Sequence, residues 1–250
     1  MSAGQALAIL VAGMAAGAIN VVVGSGTLIT FPVLLGFGYA PVTANVSNTI
    51  GLVPGSVSGA VGYRRELAGQ RRRVRVFGTA STLGGITGAL VLLVLPPGAF
   101  KAIVPVFIVI ALVLIIFQKR LAAFVEARRT EHAPHGGPLT LVAIYATGVY
   151  GGYFGAAQGI MLLAIMGLTL PDDLQRLNAL KNVLAGLVNL VAGIVFALVA
   201  HVAWGAALLI AVGSMVGGVL GARYGRRLPP AALRAFIVVV GVAAIVRLLA

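Results

Sequence analysis

The sequence predicts an all-α, polytopic membrane protein with two inverted-topology repeats, each a broken or re-entrant helical hairpin plus three transmembrane helices. Three observations predict this class: the composition, the distribution of basic residues and an internal repeat. Of the 250 residues, 60% are apolar and 9% are charged, and the mean hydropathy is +1.08. A soluble domain is about one-quarter charged, so a water-soluble enzyme and an intrinsically disordered chain are excluded.

Charge and cysteine content narrow the class further. The net charge of +13 is typical of a membrane protein with basic cytoplasmic loops, so we expect no nucleic-acid partner. The chain contains no cysteine, which excludes disulfides, thiolate chemistry and metal sites with cysteine ligands.

Apolar stretches of about 20 residues are long enough to cross a hydrocarbon core of about 30 Å. The first stretch lacks the positive region that begins a signal peptide, because the first cation is Arg64, and it is predicted to be a retained helix. Two shorter stretches, 28–37 and 160–170, follow glycine-rich breaks and are too short to cross alone. The predicted spans are 5–23, 45–63, 76–95, 101–117, 139–154, 178–199, 203–222 and 234–249.

Three clusters of basic residues set the orientation, because short cytoplasmic loops collect Lys and Arg. The loops near 96–100 and 200–203 carry no cation and are predicted to lie outside. Counting the membrane crossings between these loops and clusters then requires the segments 1–44 and 138–177 each to enter the membrane and return on the same side. The N-terminus is predicted to lie outside. Of the 18 Lys and Arg residues, all but Lys101 and Arg247 are then predicted to lie on the cytoplasmic side. The clusters are Arg64, Arg65, Arg71, Arg72, Arg73 and Arg75; Lys119, Arg120, Arg128 and Arg129; and Arg223, Arg226 and Arg227.

The pattern S-x-x-G-G-x-x-G-A occurs at 81–89 and again at 214–222, an offset of 133 residues (214 minus 81). The same offset aligns two Leu-Pro-Pro triplets. We therefore predict repeats at 1–118 and 138–250, joined by a cytoplasmic linker at 119–137, within one membrane domain. Each repeat crosses an odd number of times, so the two are oppositely oriented. Inverted repeats with broken segments are typical of secondary transporters; a duplicated structural bundle is the alternative.

Two glycine-rich breaks, at 20–27 and 151–159, carry the predicted site. A helix that restarts after a break offers free N–H groups and the positive end of its dipole. Two such ends, related by the repeat symmetry, are predicted to converge on an anion near the bilayer midplane. Alternatively, the glycines only allow helices to pack closely. The candidate substrate-binding residues at the breaks are Asn20, Gly24, Ser25, Gly26, Thr27, Gly155, Gln158 and Gly159.

Polar residues inside the spans that follow the breaks complete the candidate site. They are Asn45, Asn48, Asn178, Lys181 and Asn182. The last three share a helix face, because residues three and four apart are neighbours. A lysine near the bilayer centre costs roughly 2.5–3.5 kcal/mol on insertion scales. An anionic substrate would neutralise Lys181; alternatively, its side chain extends to the cytoplasmic interface.

Two glycine ridges at four-residue spacing are predicted to pack helices, either within the chain or between protomers as a homo-oligomer. One ridge runs over 213–225 and the other over 51–59. They consist of Gly213, Gly217, Gly221 and Gly225, and of Gly51, Gly55 and Gly59.

All five acidic residues fall in predicted loops or hairpin ends. Carboxylate proton relays and Na⁺ sites require an acid within a span, so the pattern disfavours a cation transporter. It leaves an anion, a zwitterion or a neutral solute, and we expect no catalytic residues, cofactor or metal site. The acidic residues are Glu66, Glu126, Glu131, Asp172 and Asp173.

The chain resembles the sulfite exporter TauE/SafE family of membrane transporters over essentially its whole length. The resemblance rests on the break at 24–27 followed by Pro32, on Ala44 with 47–49, on the glycine-rich segment 148–159, and on 178–182 running to Asn189. It implies a permease of the bacterial cytoplasmic membrane that moves sulfite or small organosulfonates. The chain departs from the family pattern at Thr27 and at 156–158, which are less glycine-rich.

The predicted function is thus a secondary transporter that exports a small anion by alternating access, with the substrate and the lipid bilayer as its partners. The alternatives are an anion channel, which would use the same residues, and a non-transport assembly or scaffold protein.

Overall fold

The computed structural model describes residues 1–127 and 136–225, together with 238, 239, 242, 245 and 246. Most of the predicted span 234–249, part of the linker, and Arg226 and Arg227 lie outside the described residues. Where the chain is described, all regular structure is helical, which confirms the all-α class. The helices are α1 (Ala3–Val22), α2 (Thr27–Gly36), α3 (Pro41–Gly62), α4 (Arg71–Val94), α5 (Pro97–Ile116), α6 (Gln118–Ala127), α7 (Pro138–Tyr153), α8 (Gln158–Thr169), α9 (Leu174–Val199) and α10 (Trp204–Tyr224).

Five of these helices, α1, α4, α5, α9 and α10, are long and apolar enough to cross a membrane. The chain is therefore a multi-pass membrane protein, as predicted. Helices α2 and α8 have 10 and 12 residues, or about 15 and 18 Å at 1.5 Å per residue, which is too short to cross. They match the two short apolar stretches expected after the breaks.

Two predicted spans, 45–63 and 139–154, form helices that are not among the five. Helix α3 has 22 residues, or about 33 Å, but many of its residues are polar and face the protein interior. Helix α7 has only 16 residues, or about 24 Å, and ends at the second break. Both helices depend on contacts within the protein, since lipid would not accommodate their polar groups.

Contacts of the glycines show that α1, α3 and α10 run in the same direction. Along each pair of helices, the residue numbers of the contacting positions rise together. Starting from α10, the pairs are Gly213 with Leu10, Gly217 with Met14 and Gly221 with Ala18; starting from α3, they are Gly51 with Ile210, Gly55 with Ser214 and Gly62 with Ala222.

Helices α4, α7 and α9 run in the opposite direction. The pairs are Gly84 with Tyr145 and Gly88 with Val149 between α4 and α7, and Gly78 with Leu187 and Gly85 with Val191 between α4 and α9. Helix α9 runs against α3, since Gly186 meets Ser56 whereas Gly193 meets Ile50. Helices at equivalent places in the two predicted repeats, α1 and α7, α3 and α9, and α4 and α10, therefore have opposed directions.

Each broken hairpin enters and returns at one end of the molecule. At the end that holds the N-terminus, the Tyr39 hydroxyl lies 4.0 Å from the Met1 Sδ, so α1 begins where α2 returns. The second hairpin begins and returns at the other end. There Arg73 lines a cavity with Pro138, where α7 begins, and pairs with Asp172, just after α8.

This second end, formed by 63–75, 136–138 and 171–176, is called the basic end below. Asp172 accepts hydrogen bonds from Arg73 and from the Arg176 Nε, the latter at 2.7 Å. Gln70 donates to the Arg176 carbonyl at 3.0 Å, which ties the α3–α4 loop to the start of α9. Partial burial raises the pKa of Asp172, but hydrogen bonds and charge attraction from the two arginines lower it by more, so the net shift is downward.

The repeated S-x-x-G-G-x-x-G-A segment packs each half of the chain onto the other. In α4, Gly88 lies against the α7 backbone and Gly85 against α9. In α10, Gly217 lies against α1 and Gly218 against α3. The fourth helix of each half is thus inserted between elements of the opposite half. The two sequence repeats are therefore interlocked in space.

Both predicted glycine ridges are used inside the chain. The ridge over 213–225 packs on α1, while the ridge over 51–59 packs on α10 and on Val21. These glycines offer no free face to a second copy, because other helices of the same chain already cover them. The expectation of a homo-oligomer through the ridges is therefore not supported, and their packing role within the chain explains them.

Substituting Gly217 with Ala should destabilise the protein. A Cβ at this position would lie 1.9 Å from the Met14 carbonyl oxygen, so α1 and α10 would have to separate. Overpacking of this kind costs about 1–3 kcal/mol, and we expect a lower melting temperature in detergent. Gly205→Ala in the same helix is the matched control, because its nearest neighbour is a side-chain methyl at 3.8 Å. Equal melting temperatures for the two variants would contradict the prediction.

Candidate functional site

The two breaks meet in the interior of the protein. The first occupies 23–26 between α1 and α2, and the second occupies 154–157 between α7 and α8. The backbone turns at Gly24 and Gly155, whose φ angles are +86° and +76°. The Gly159 N–H donates a hydrogen bond to the Gly24 carbonyl at 3.1 Å, which joins the two breaks directly.

Only residues without a Cβ fit at this contact. A Cβ on Gly24 would lie 2.4 Å from the Gly159 Cα, and one on Gly159 would lie 2.5 Å from the Gly24 Cα. The two breaks therefore converge as predicted, but their backbones contact each other instead of surrounding a space for an anion. The N–H of Gly159, in the first turn of α8, is bonded to a carbonyl, because the two backbones are in contact. An anion would have to lie beside this contact.

Lys181 is fully buried and does not extend to the interface. Its Nζ donates to the carbonyls of Asn20 at 3.1 Å and Val21 at 2.9 Å. Both residues lie in the last turn of α1. Asn178, one turn earlier in α9, also donates to the Val21 carbonyl, at 3.4 Å. The free carbonyls at a helix C-terminus carry partial negative charge, so the end of α1 compensates part of the lysine charge.

Asn45 makes the matching contact for the second break. This residue aligns with Asn178 in the sequence repeat, and its Nδ2 donates to the Tyr153 carbonyl at 2.9 Å. Tyr153 is the last residue of α7. An asparagine from each half therefore binds the end of the broken helix of the other half.

The side chains of Asn20 and Asn48 bind within the first half. Asn48 donates to the Thr27 hydroxyl at 3.2 Å and accepts a hydrogen bond from the Thr30 hydroxyl. The Asn20 side chain accepts from the Gly26 N–H at 3.5 Å and so caps the start of α2. The sequence prediction omitted Thr30, although its position one turn after Thr27 placed it on the same helix face.

Several buried polar groups near the joined breaks have no hydrogen-bond partner among the described residues. Buried polar groups almost always have one, so these groups are the ones available to a polar ligand. Ser25 and Gln158 are chain neighbours of the contacting glycines, and Asn182 follows Lys181. The unpartnered atoms are the Ser25 Oγ, Asn45 Oδ1, Gln158 Nε2, Asn178 Oδ1, Asn182 Nδ2 and Tyr153 Oη.

An aromatic cluster covers one side of the second break, and the sequence prediction missed it. Its rings come from α2, α5 and the end of α7, and most pairs meet edge to face, with centroids 5.1 to 6.4 Å apart. The Tyr150 hydroxyl also donates to the Ala156 carbonyl inside the break, at 2.5 Å. The members are Phe31, Phe100, Phe107, Tyr150, Tyr153 and Phe154.

Other kinds of site find little support in the described part of the chain. No group of three His, Cys, Asp or Glu residues there could hold a metal ion. Two cavities of about 240 and 460 Å³ lie at the surface, at the start of α7 and between the ends of α3 and α10. Neither is lined by a residue of the breaks. Ser25, Lys181 and Asn182 are almost fully buried, so the polar centre is closed in this structure.

Apolar spans around two broken hairpins and a buried polar centre define a membrane transporter. Comparison with known proteins agrees: the chain belongs to the sulfite exporter TauE/SafE family, whose model matches residues 9–248. This confirms the resemblance found in the sequence.

Curated relatives are also named as transporters. The chain is 28% identical over 242 residues to the probable membrane transporter protein ORF9 of Sinorhizobium sp, covering 97% of this chain and 91% of the relative. It is 25% identical over 214 residues to the probable membrane transporter protein YfcA of Escherichia coli strain K12, covering 84% and 77%. No solved structure shows significant similarity.

Replacing Asn45 with Leu should destabilise the protein by about 1–3 kcal/mol, because the Tyr153 carbonyl would lose its donor while remaining buried. The check is the melting temperature of the purified variant in detergent. Asn189→Leu serves as the control, since this half-buried residue donates only a long hydrogen bond, 3.4 Å, to the Ser56 hydroxyl. A drop for Asn189→Leu as large as that for Asn45→Leu would argue against a special role of the hydrogen bond between Asn45 and the end of α7.

Proposed function

We propose that this transporter is a permease for small anions that works by alternating access at a site beside the joined breaks. The observation that carries the proposal is the buried polar centre, where groups from both halves surround the contact between Gly24 and Gly159. Ser25 and Gln158 would donate hydrogen bonds, and Asn45, Asn178 and Asn182 would line the site.

Opposed helix directions support the two-repeat mechanism. Equivalent helices of the two halves run in opposite directions, as expected if the chain consists of inverted repeats at 1–118 and 138–250. A scaffold with this symmetry can expose one central site to either side at similar energy. The polar centre is closed in the present arrangement, so transport requires the contact between the breaks to open towards one end and then the other.

The charge distribution supports an anion as substrate. Lys181 is a buried basic group, and its hydrogen-bond acceptors are backbone carbonyls rather than carboxylates, so a positive charge on it would have no ionic partner among the described residues. The acidic side chains that the structure describes, Glu66, Asp172 and Asp173, lie in loops at the basic end. An anion bound beside Lys181 would neutralise the centre, whereas a cation would be repelled.

The substrate class proposed is sulfite or a small organosulfonate, and the direction is export. The family description names sulfite exporters, and a compact oxyanion matches the cluster of hydroxyl and amide groups. An inside-negative potential contributes about 2.3 kcal/mol per charge per 100 mV. This energy favours the outward movement of an anion without a coupling ion.

Lys181→Ala should reduce sulfite flux into proteoliposomes by about ten- to a hundred-fold, since hydrogen bonds to charged groups are worth about 1.5–3 kcal/mol. Lys101→Ala is the matched control, because Lys101 is an exposed cation in α5. Unchanged flux and unchanged substrate affinity in Lys181→Ala would remove the charge role. Flux that neither saturates nor shows counterflow would instead indicate an anion channel.

We further propose that the basic end faces the cytoplasm of a bacterial cell and that the N-terminus lies outside the inner membrane. The basic residues at 64–75 and Arg223 support this orientation. A cysteine placed at Ser2 should react with a membrane-impermeant maleimide in intact spheroplasts, and one placed at Ala68, which is exposed at the basic end, should react only after lysis. The reverse labelling pattern would overturn the orientation.

A further inference from the structure

The larger surface cavity is a groove of about 460 Å³ between the C-terminal ends of α3 and α10. The two helices meet closely there because their facing residues are small: a Cβ on Gly62 would lie 2.4 Å from the Ala222 Cβ. The walls are Val57, Val61 and Val219, whose side chains are more than half exposed. Because α10 is a membrane span, this apolar groove faces lipid.

Two arginines line the same groove where both helices end. Arg64 follows the end of α3 by two residues, and Arg223 lies in the last turn of α10. The Arg64 Nη1 donates to the Val61 carbonyl at 3.4 Å, and the Arg223 guanidinium lies 5.4 Å from the centre of the Tyr224 ring. Both guanidinium groups therefore lie at the end of the groove where the two helices end.

We propose that this groove binds one anionic phospholipid, with the headgroup phosphodiester between Arg64 and Arg223 and an acyl chain along the valines. Arg pairs well with phosphate because its planar guanidinium donates several hydrogen bonds in a fixed geometry. Basic pockets between transmembrane helices are a recognised form of lipid headgroup site. The two parts of the groove thus complement the two parts of one ligand.

If Arg64 and Arg223 only capped their helices, fewer features of the groove would be explained. Cations at helix C-termini are favourable because of the helix dipole, so capping would account for Arg64 and Arg223. It does not account for the exposed valines along the walls or for the groove that the small residues create. The two explanations differ in what they predict for lipid binding, since capping has no dependence on lipid.

The test is titration of purified protein in detergent with phosphatidylglycerol, followed by native mass spectrometry and by thermal shift. The wild type should bind one lipid and melt at a higher temperature, because a ligand of the folded state stabilises it. The double variant Arg64→Gln/Arg223→Gln should bind about twenty-five-fold more weakly, since each basic residue near an anionic headgroup is worth about a factor of five.

Two comparisons separate the groove from general charge attraction. The control Arg71→Gln/Arg75→Gln removes two exposed arginines of the same end outside the groove, and it should bind as the wild type does. The variant Val61→Trp/Val219→Trp keeps both charges, fills the groove and should lose the bound lipid. The tryptophan variant also keeps the test decisive if the arginine variant does not fold.

Several results would overturn the proposal. Equal weakening by the two arginine pairs would indicate non-specific attraction. Unchanged binding by the tryptophan variant would exclude the groove, and equal stabilisation by phosphatidylcholine would exclude headgroup charge. Equal stabilisation by glycerol phosphate would indicate an anion site without an acyl chain.

Discussion

A break in a membrane helix releases backbone N–H and C=O groups that lipid cannot satisfy, so they must find partners inside the protein. In this chain some partners come from the same half, but several come from the opposite half. The end of α1 is bound by Lys181 and Asn178, and the end of α7 is bound by Asn45. The Gly24 carbonyl accepts from Gly159. The broken helices of one half therefore depend on the other half for their stability.

This dependence explains why the helix packing is so close around the breaks. The hydrogen bonds across the halves hold the two broken hairpins in contact, and α4 and α10 lie directly against the backbones of α7 and α1. Glycine at positions such as Gly88 and Gly217 makes the approach possible, because no Cβ separates the backbones. The repeated glycine segments thus pack against the broken helices, and the two repeated features act together in the fold.

Local features of the fold and site could be predicted from the sequence, whereas their partners could not. The break positions, the short helices after them and the shared face of Asn178 and Lys181 follow from glycine placement and helical periodicity. The carbonyls that Lys181 binds could not be predicted, because periodicity defines a helix face but not what it meets. The aromatic cluster was missed for the same reason: Phe31, Phe100 and Phe154 are distant in sequence and show no common spacing.

In the proposed mechanism, the position of Lys181 would link substrate charge to the geometry of the break. A ligand shifts a conformational equilibrium only by binding one state better than the other. In the closed centre the lysine Nζ is held by the Asn20 and Val21 carbonyls. An oxyanion that took over the hydrogen bond to the Asn20 carbonyl would leave that carbonyl without its donor, which would favour movement of the end of α1. Substrate binding and the opening of the breaks would then be coupled through a single side chain.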